Sequence, residues 1–136
     1  MMSAAALRER VSGNWKERTG GWWLCLPADQ VRRAARIMLD GGARFSALVT
    51  RQIPAGGLWL SWHWDFYGTL LSIETTLAEG DLAPSIVDLY PGADWAEREA
   101  HDYYAVSFAN RYATPSLVLR EGDTPGILLD REANRS

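Results

Sequence analysis

The chain has 136 residues, 47% hydrophobic and 11% aromatic with seven tryptophans; this is one domain's length with enough apolar material for a core, which excludes wholesale disorder. A net charge of −3 gives no electrostatic reason to bind nucleic acid. The sole cysteine, Cys25, excludes an internal disulfide and a four-cysteine iron–sulfur site, and no apolar run reaches the ~18 residues of a membrane span. The charge is unevenly spread. Residues 1–68 carry nine Lys/Arg and five Asp/Glu, residues 69–136 five and twelve. The asymmetry suggests that partners meet two different faces.

In chain order, Met1–Leu7 runs into charge rather than a long apolar stretch and is not a signal peptide. Residues 4–18 read as a short polar helix, broken near Ser12-Gly13-Asn14. Trp22, Leu24 and Leu26 alternate with Trp23 and Cys25, a strand pattern. Pro27 opens a helix to about Leu39, with Val31, Ala34, Ala35 and Met38 on one stripe and Arg32, Arg33 and Arg36 off it. Gly41-Gly42 stops it. Phe45, Ala47 and Val49 mark a second strand, and Pro54–Gly57 a turn. In the third strand Leu60, Trp62, Trp64 and Phe66 share one face, and Trp59, Ser61, His63 and Asp65 the other. Tyr67-Gly68 turns into a fourth strand with Leu71, Ile73 and Thr75 inward. The order implies an α+β fold: a mostly antiparallel sheet of about four strands with helices on one face. The reading divides the chain into a domain over 1–119 and an extended, loop-rich tail over 120–136. In that tail Ile127-Leu128-Leu129 is a candidate docking peptide.

The most informative stretch is 85–108. Pro91-Gly92 breaks the chain before a helix. Asp94 is placed to cap it, with Glu97 three residues on as in a capping box. Arg98/Asp102 and Glu97/His101 are spaced for one-turn pairs. Trp95, Tyr103 and Tyr104 stand among these charges. An ordinary amphipathic helix satisfies the local pattern; the aromatics beside the charges also fit a docking surface or a buried charge network.

Tyr90, Pro91, Ala93, Asp94, Trp95, Glu97, Arg98, Glu99, Asp102, Tyr104, Val106 and Phe108 resemble a family signature. It is that of the 30 kDa subunit of respiratory NADH dehydrogenase (complex I), and of the related small subunit of membrane-bound, energy-converting [NiFe] hydrogenases. Ser85-Ile86 fits the lead-in, Trp62–Asp65 resembles a Tyr-His-Phe-Asp type strand, and Gly42–Phe45 the start of the family's second strand. The resemblance covers roughly residues 20–119. Ala105 stands where the family usually has Gly, and Asn110-Arg111-Tyr112 followed by Ala113–Ser116 replaces its Gly-His-Pro or Gly-Asn-Pro loop; Leu117-Val118-Leu119 recovers the apolar ending. The short C-terminal extension fits the hydrogenase-type branch better.

The resemblance implies a non-catalytic, cofactor-free structural subunit of a membrane-associated redox complex, peripheral on the cytoplasmic side of the inner membrane and not inserted in it. The implied partners are a large [NiFe]-hydrogenase-like or complex I 49 kDa-like subunit and an iron–sulfur subunit, which would carry the clusters and a NiFe site. Asp94, Glu97, Arg98, Glu99 and Asp102 would be polar anchors for the partner, and Trp95, Tyr103 and Tyr104 packing anchors.

Other chemistry is weakly signalled. Glu97, Glu99, His101 and Asp102 lack a metal-binding order or a second ligand cluster. Cys25 as a nucleophile with His63 or His101 competes with the commoner buried, inert cysteine. No glycine-rich nucleotide loop is present. A Trp/Phe base-stacking platform conflicts with an acidic chain holding one lysine. A stand-alone small enzyme and an orphan interaction module remain the alternatives from other classes.

Overall fold

The computed structural model describes residues 2–111, 114, 115, 119 and 123–129. Tyr112-Ala113, Ser116-Leu117-Val118 and most of the proposed tail lie outside the described residues.

Helix α1 is Ala4–Arg10, capped by the Ser3 hydroxyl, which accepts from the Ala6 amide at 3.1 Å. The helix stops at Val11, just before the break at Ser12-Gly13-Asn14, and does not resume toward residue 18 as expected. The Trp15 indole N–H turns back to the carbonyls of Arg8 and Val11, 3.0 and 2.9 Å away, and so satisfies oxygens that the helix end leaves open. Lys16–Arg18 then become strand β1, paired antiparallel with β2 (Gly21–Cys25). Helix α2 (Ala28–Asp40) buries Val31, Ala34, Ala35 and Met38, the stripe that the 3.6-residue period selects.

Strands β3 (Arg44–Gln52), β4 (Leu58–Phe66) and β5 (Thr69–Leu77) form successive antiparallel pairs, and β5 then lies parallel to β2. The sheet order is β1-β2-β5-β4-β3. It is a mixed five-stranded sheet, dominated by antiparallel pairs; the strand beyond the expected four is β1. Leu60, Trp62, Trp64, Leu71 and Ile73 are fully buried on its inner face, as their alternation requires. Helix α2 packs toward β5, and helix α3 (Ala93–Tyr104) toward β3.

Two features position α3. A two-residue parallel ladder joins β6 (Ala83–Pro84) to β7 (Phe108–Ala109), so the segments before and after the helix are tied together. No periodicity exists over two residues, and sequence reading finds no such element. The Tyr90 hydroxyl donates to the Ala43 carbonyl at 2.9 Å, which links the helix entry to the start of β3. Burial pushes the Tyr90 phenol up to about 12, so it remains a donor at physiological pH. Its ring sits 6.1 Å from Phe45 and 6.3 Å from Trp64. Tyr90→Phe should keep the rings packed but strand a buried carbonyl. The expected loss is about 1–3 kcal/mol with an unchanged denaturant slope, measured by chemical unfolding.

Candidate functional site

Helix α3 starts two residues earlier than an Asp94 cap implies. Its N-cap is Gly92, without a side-chain cap, and Asp94 lies inside the first turn. The expected capping role fails because the preceding turns do the work: the amides of Ala93 and Asp94 already donate to the carbonyls of Tyr90 and Pro91 at 2.9 and 3.1 Å. Asp94 instead accepts from Arg111 at 2.7 Å and pairs with Arg98 at 3.7 Å. Arg98 therefore pairs one turn back along the helix, rather than forward as expected, and its Nε donates to the Pro115 carbonyl at 3.2 Å.

Glu97 points into the protein and is fully buried. Its two oxygens accept from the Ser85 hydroxyl at 2.6 Å, the Ile86 amide at 2.9 Å and Arg111 at 3.1 Å. It is neither a capping-box residue nor the expected partner of His101, whose Nδ1 lies 2.9 Å from the Val106 carbonyl. Arg111 bridges Glu97 and Asp94 with its side chain only 8% exposed. Desolvation opposes the Arg111 charge, yet its two carboxylate partners raise its pKa above the ordinary guanidinium value. Neither Ser85 nor Arg111 is among the site residues expected from the sequence. A signal for Glu97 did exist, since it falls between Ala93 and Ala100 on one helical stripe, and both are buried.

Asp102 is also fully buried, by a different route. At 100° per residue it falls on the side of α3 away from Ala93 and Ala100. The chain returns over that side: Gly126 and Ile127 donate their amides to the Asp102 carbonyl at 2.8 and 3.3 Å, and Leu128 donates to that of Tyr103 at 2.8 Å. Of the candidate docking peptide, Ile127 and Leu128 are half exposed. The eight candidate anchors thus divide. Glu97 and Asp102 turn inward, whereas Asp94, Arg98, Glu99, Tyr103 and Tyr104 are partly exposed and Trp95 is 59% exposed. The Trp95 indole N–H donates to Glu99 at 3.0 Å. Its ring edges an open hollow of about 670 Å³ lined also by Leu39, Ala43, Phe45, Tyr90 and Ala96.

The family model described as "Respiratory-chain NADH dehydrogenase, 30 Kd subunit" matches residues 25–127. The chain belongs to this 30 Kd subunit family. A curated relative, an NADH-quinone oxidoreductase subunit from Rhodopseudomonas palustris (strain BisB18), is 41% identical over 49 residues, which are 35% of this chain and 25% of the relative. The corresponding NADH-quinone oxidoreductase subunit from Rhodobacter capsulatus is 31% identical over 77 residues, 52% of this chain and 39% of the relative. The chain therefore matches between a quarter and two-fifths of these relatives' length. A chain from the structure of the membrane-bound sulfane sulfur reductase, an archaeal respiratory membrane complex, shares the fold with a TM-score of 0.70 and 24% identity, over 96% of this chain and 77% of that one.

Outside α3, the 30 Kd-family fold does not assemble the cysteine–histidine pairs considered from sequence. Cys25 is exposed, not buried, and its thiol donates to Glu74 at 2.9 Å. That bond, more than burial, raises the thiol pKa. The His63 ring is buried between the Ser61 and Ser72 hydroxyls, at 2.9 and 2.7 Å, and desolvation lowers its pKa. Among the described residues no cluster of three or more His, Cys, Asp or Glu is arranged to hold a metal ion.

Two variants test this geometry. Glu97→Ala would leave Arg111 buried near one carboxylate and orphan the Ser85 and Ile86 donors, with an expected cost of about 3–5 kcal/mol. Glu97→Gln keeps an acceptor and should cost about 1–3 kcal/mol, both read from denaturant unfolding. At the other helix end Ala105 is left-handed, with φ 57° and ψ 31°, at the position where the family usually has Gly. Ala105→Gly should stabilise the chain by about 0.5–1 kcal/mol in the same assay.

Proposed function

We propose that this chain is a non-catalytic structural subunit of a membrane-associated redox complex. It docks through the exposed side of α3 onto a large [NiFe]-hydrogenase-like or complex I 49 kDa-like subunit, and holds that subunit in register with an iron–sulfur neighbour. The family membership supports the class of complex. The observation that supports the docking face is Trp95, a large aromatic left 59% exposed beside an apolar hollow, on a helix otherwise anchored to its own chain. Tryptophan is enriched among the residues that dominate binding energy at protein interfaces.

Among the described residues no helix is long and apolar enough to cross a membrane. This fits peripheral attachment through partner subunits on the cytoplasmic side. The redox centres belong to those partners in this reading.

The test is co-purification from the native host. Wild-type chain should recover a large [NiFe]-type or 49 kDa-like subunit and an iron–sulfur protein. Trp95→Ser, an exposed change, should alter stability by no more than about 0.5 kcal/mol yet lose most of that recovery. Normal recovery with Trp95→Ser and with Arg98→Ala would remove α3 as the docking face. Separately, the purified chain should hold no stoichiometric iron, nickel, zinc or flavin. Elemental analysis finding close to one metal per chain after chelation would refute the cofactor-free reading.

A further inference from the structure

The helices α2 and α3 cover one face of the sheet, and among the described residues no helix packs on the other. The exposed face of an antiparallel sheet is ordinarily polar. Here it carries Trp59, 45% exposed, and Val49, 43% exposed, together with Trp23 and the exposed Cys25. The Arg18 guanidinium lies 5.0 Å from the centre of the Trp23 ring, and Arg51 lies 5.0 Å from that of Trp59. Arginine and tryptophan are the residue types most enriched at interface hot spots, and stacking holds both side chains in place before a partner arrives.

The charge on this face has one sign where it meets solvent. Lys16, Arg18 and Arg51 are exposed. Glu74 lies in the middle but is consumed internally: its side chain is 17% exposed, it accepts from Cys25 and it pairs with Arg18 at 3.7 Å. Asp65, at the far end, accepts from the Gly68 amide at 3.0 Å. The polar centre is satisfied as well, because both nitrogens of His63 are held by serines and the Trp23 edge covers its ring at 5.2 Å. Two hollows flank the Cys25–Glu74 pair. One of about 220 Å³ is edged by Leu26, Trp59 and Thr76, the other of about 160 Å³ by Asn14, Lys16 and Trp23.

We propose that this open sheet face is a second protein-binding surface, and that it takes a neighbouring subunit whose contact patch is apolar at its centre and acidic at its rim. The apolar centre answers Trp59, Val49 and Trp23; the acidic rim answers Lys16, Arg18 and Arg51, which have too few free carboxylates of their own. The α3 side, which carries the exposed Trp95 and the partly exposed Glu99, meets a different partner. A nucleic acid is disfavoured because guanidinium groups already occupy the tryptophan faces and a carboxylate sits at the centre. That the acidic neighbour is a further subunit of the redox complex rests on the function proposed above.

Cys25 is the sole cysteine and lies on this face, so its reaction with a maleimide reports coverage directly. The full tagged chain, expressed in its host, is separated by size in low salt, and Cys25 labelling is timed in the large particle and in the purified free chain. The expected result is labelling about tenfold slower or more in the particle, restored by high salt, by Arg18→Glu with Arg51→Glu, and by Trp59→Ser. Each variant's melting curve as a free chain, matching wild type, separates lost contact from lost fold. Equal labelling in particle and free chain overturns the proposal, as does a chain that never leaves the monomer fraction. Protection that the purified chain shows by itself at high concentration points to a second copy, and protection removed by ribonuclease points to RNA; either also overturns it. A particle that shields Cys25 but lacks large and iron–sulfur subunits upholds this surface and refutes the redox-complex reading. A particle that contains them and leaves Cys25 reactive does the reverse.

Discussion

The carboxylate of Glu97 sits where three parts of the chain meet. It takes a hydroxyl and an amide from Ser85 and Ile86 ahead of the helix, and a guanidinium from Arg111 beyond it. A buried charge is tolerated only when its desolvation is offset by several well-placed donors. That requirement makes the site demanding, since each donor must arrive from a segment that is itself held in place. The β6–β7 ladder brings the two flanking segments together, and the Arg32 guanidinium, donating to Ser85 at 2.6 Å and to Asp88 at 2.7 Å, ties the first of them to α2. Helix α3 is thus fixed to its own domain along its inner side by polar contacts as well as by packing.

A helix anchored in this way presents what remains as a rigid surface. Trp95, Glu99 and the partly exposed Asp94 and Arg98 are held by bonds within the chain before any partner binds. Preorganisation of this kind lowers the entropy lost on association. The Arg18–Trp23 and Arg51–Trp59 stacks give the open sheet face the same property.

Much of this was legible in the residues themselves. The alternation of Leu60, Trp62, Trp64 and Phe66 set the inner face of β4, and the stripe of Val31, Ala34, Ala35 and Met38 set the buried side of α2, because burial of apolar area follows local period. The signature from Tyr90 to Phe108 placed α3 and pointed to the family. Other features depended on contacts distant in sequence. Lys16–Arg18 have no strand pattern and pair only because β2 lies beside them. Asp94 and Glu97 satisfied the local rule for a capping box, but backbone carbonyls took the capping role and buried donors took Glu97. Asp102 lies on the side of α3 away from Ala93 and Ala100, where residues 126–128 return and bond to the helix carbonyls, and it too is buried. Local pattern determined which residues seek the interior; only the tertiary structure decided which charges were enclosed with them, because the donors that make an enclosed charge tolerable come from elsewhere in the chain.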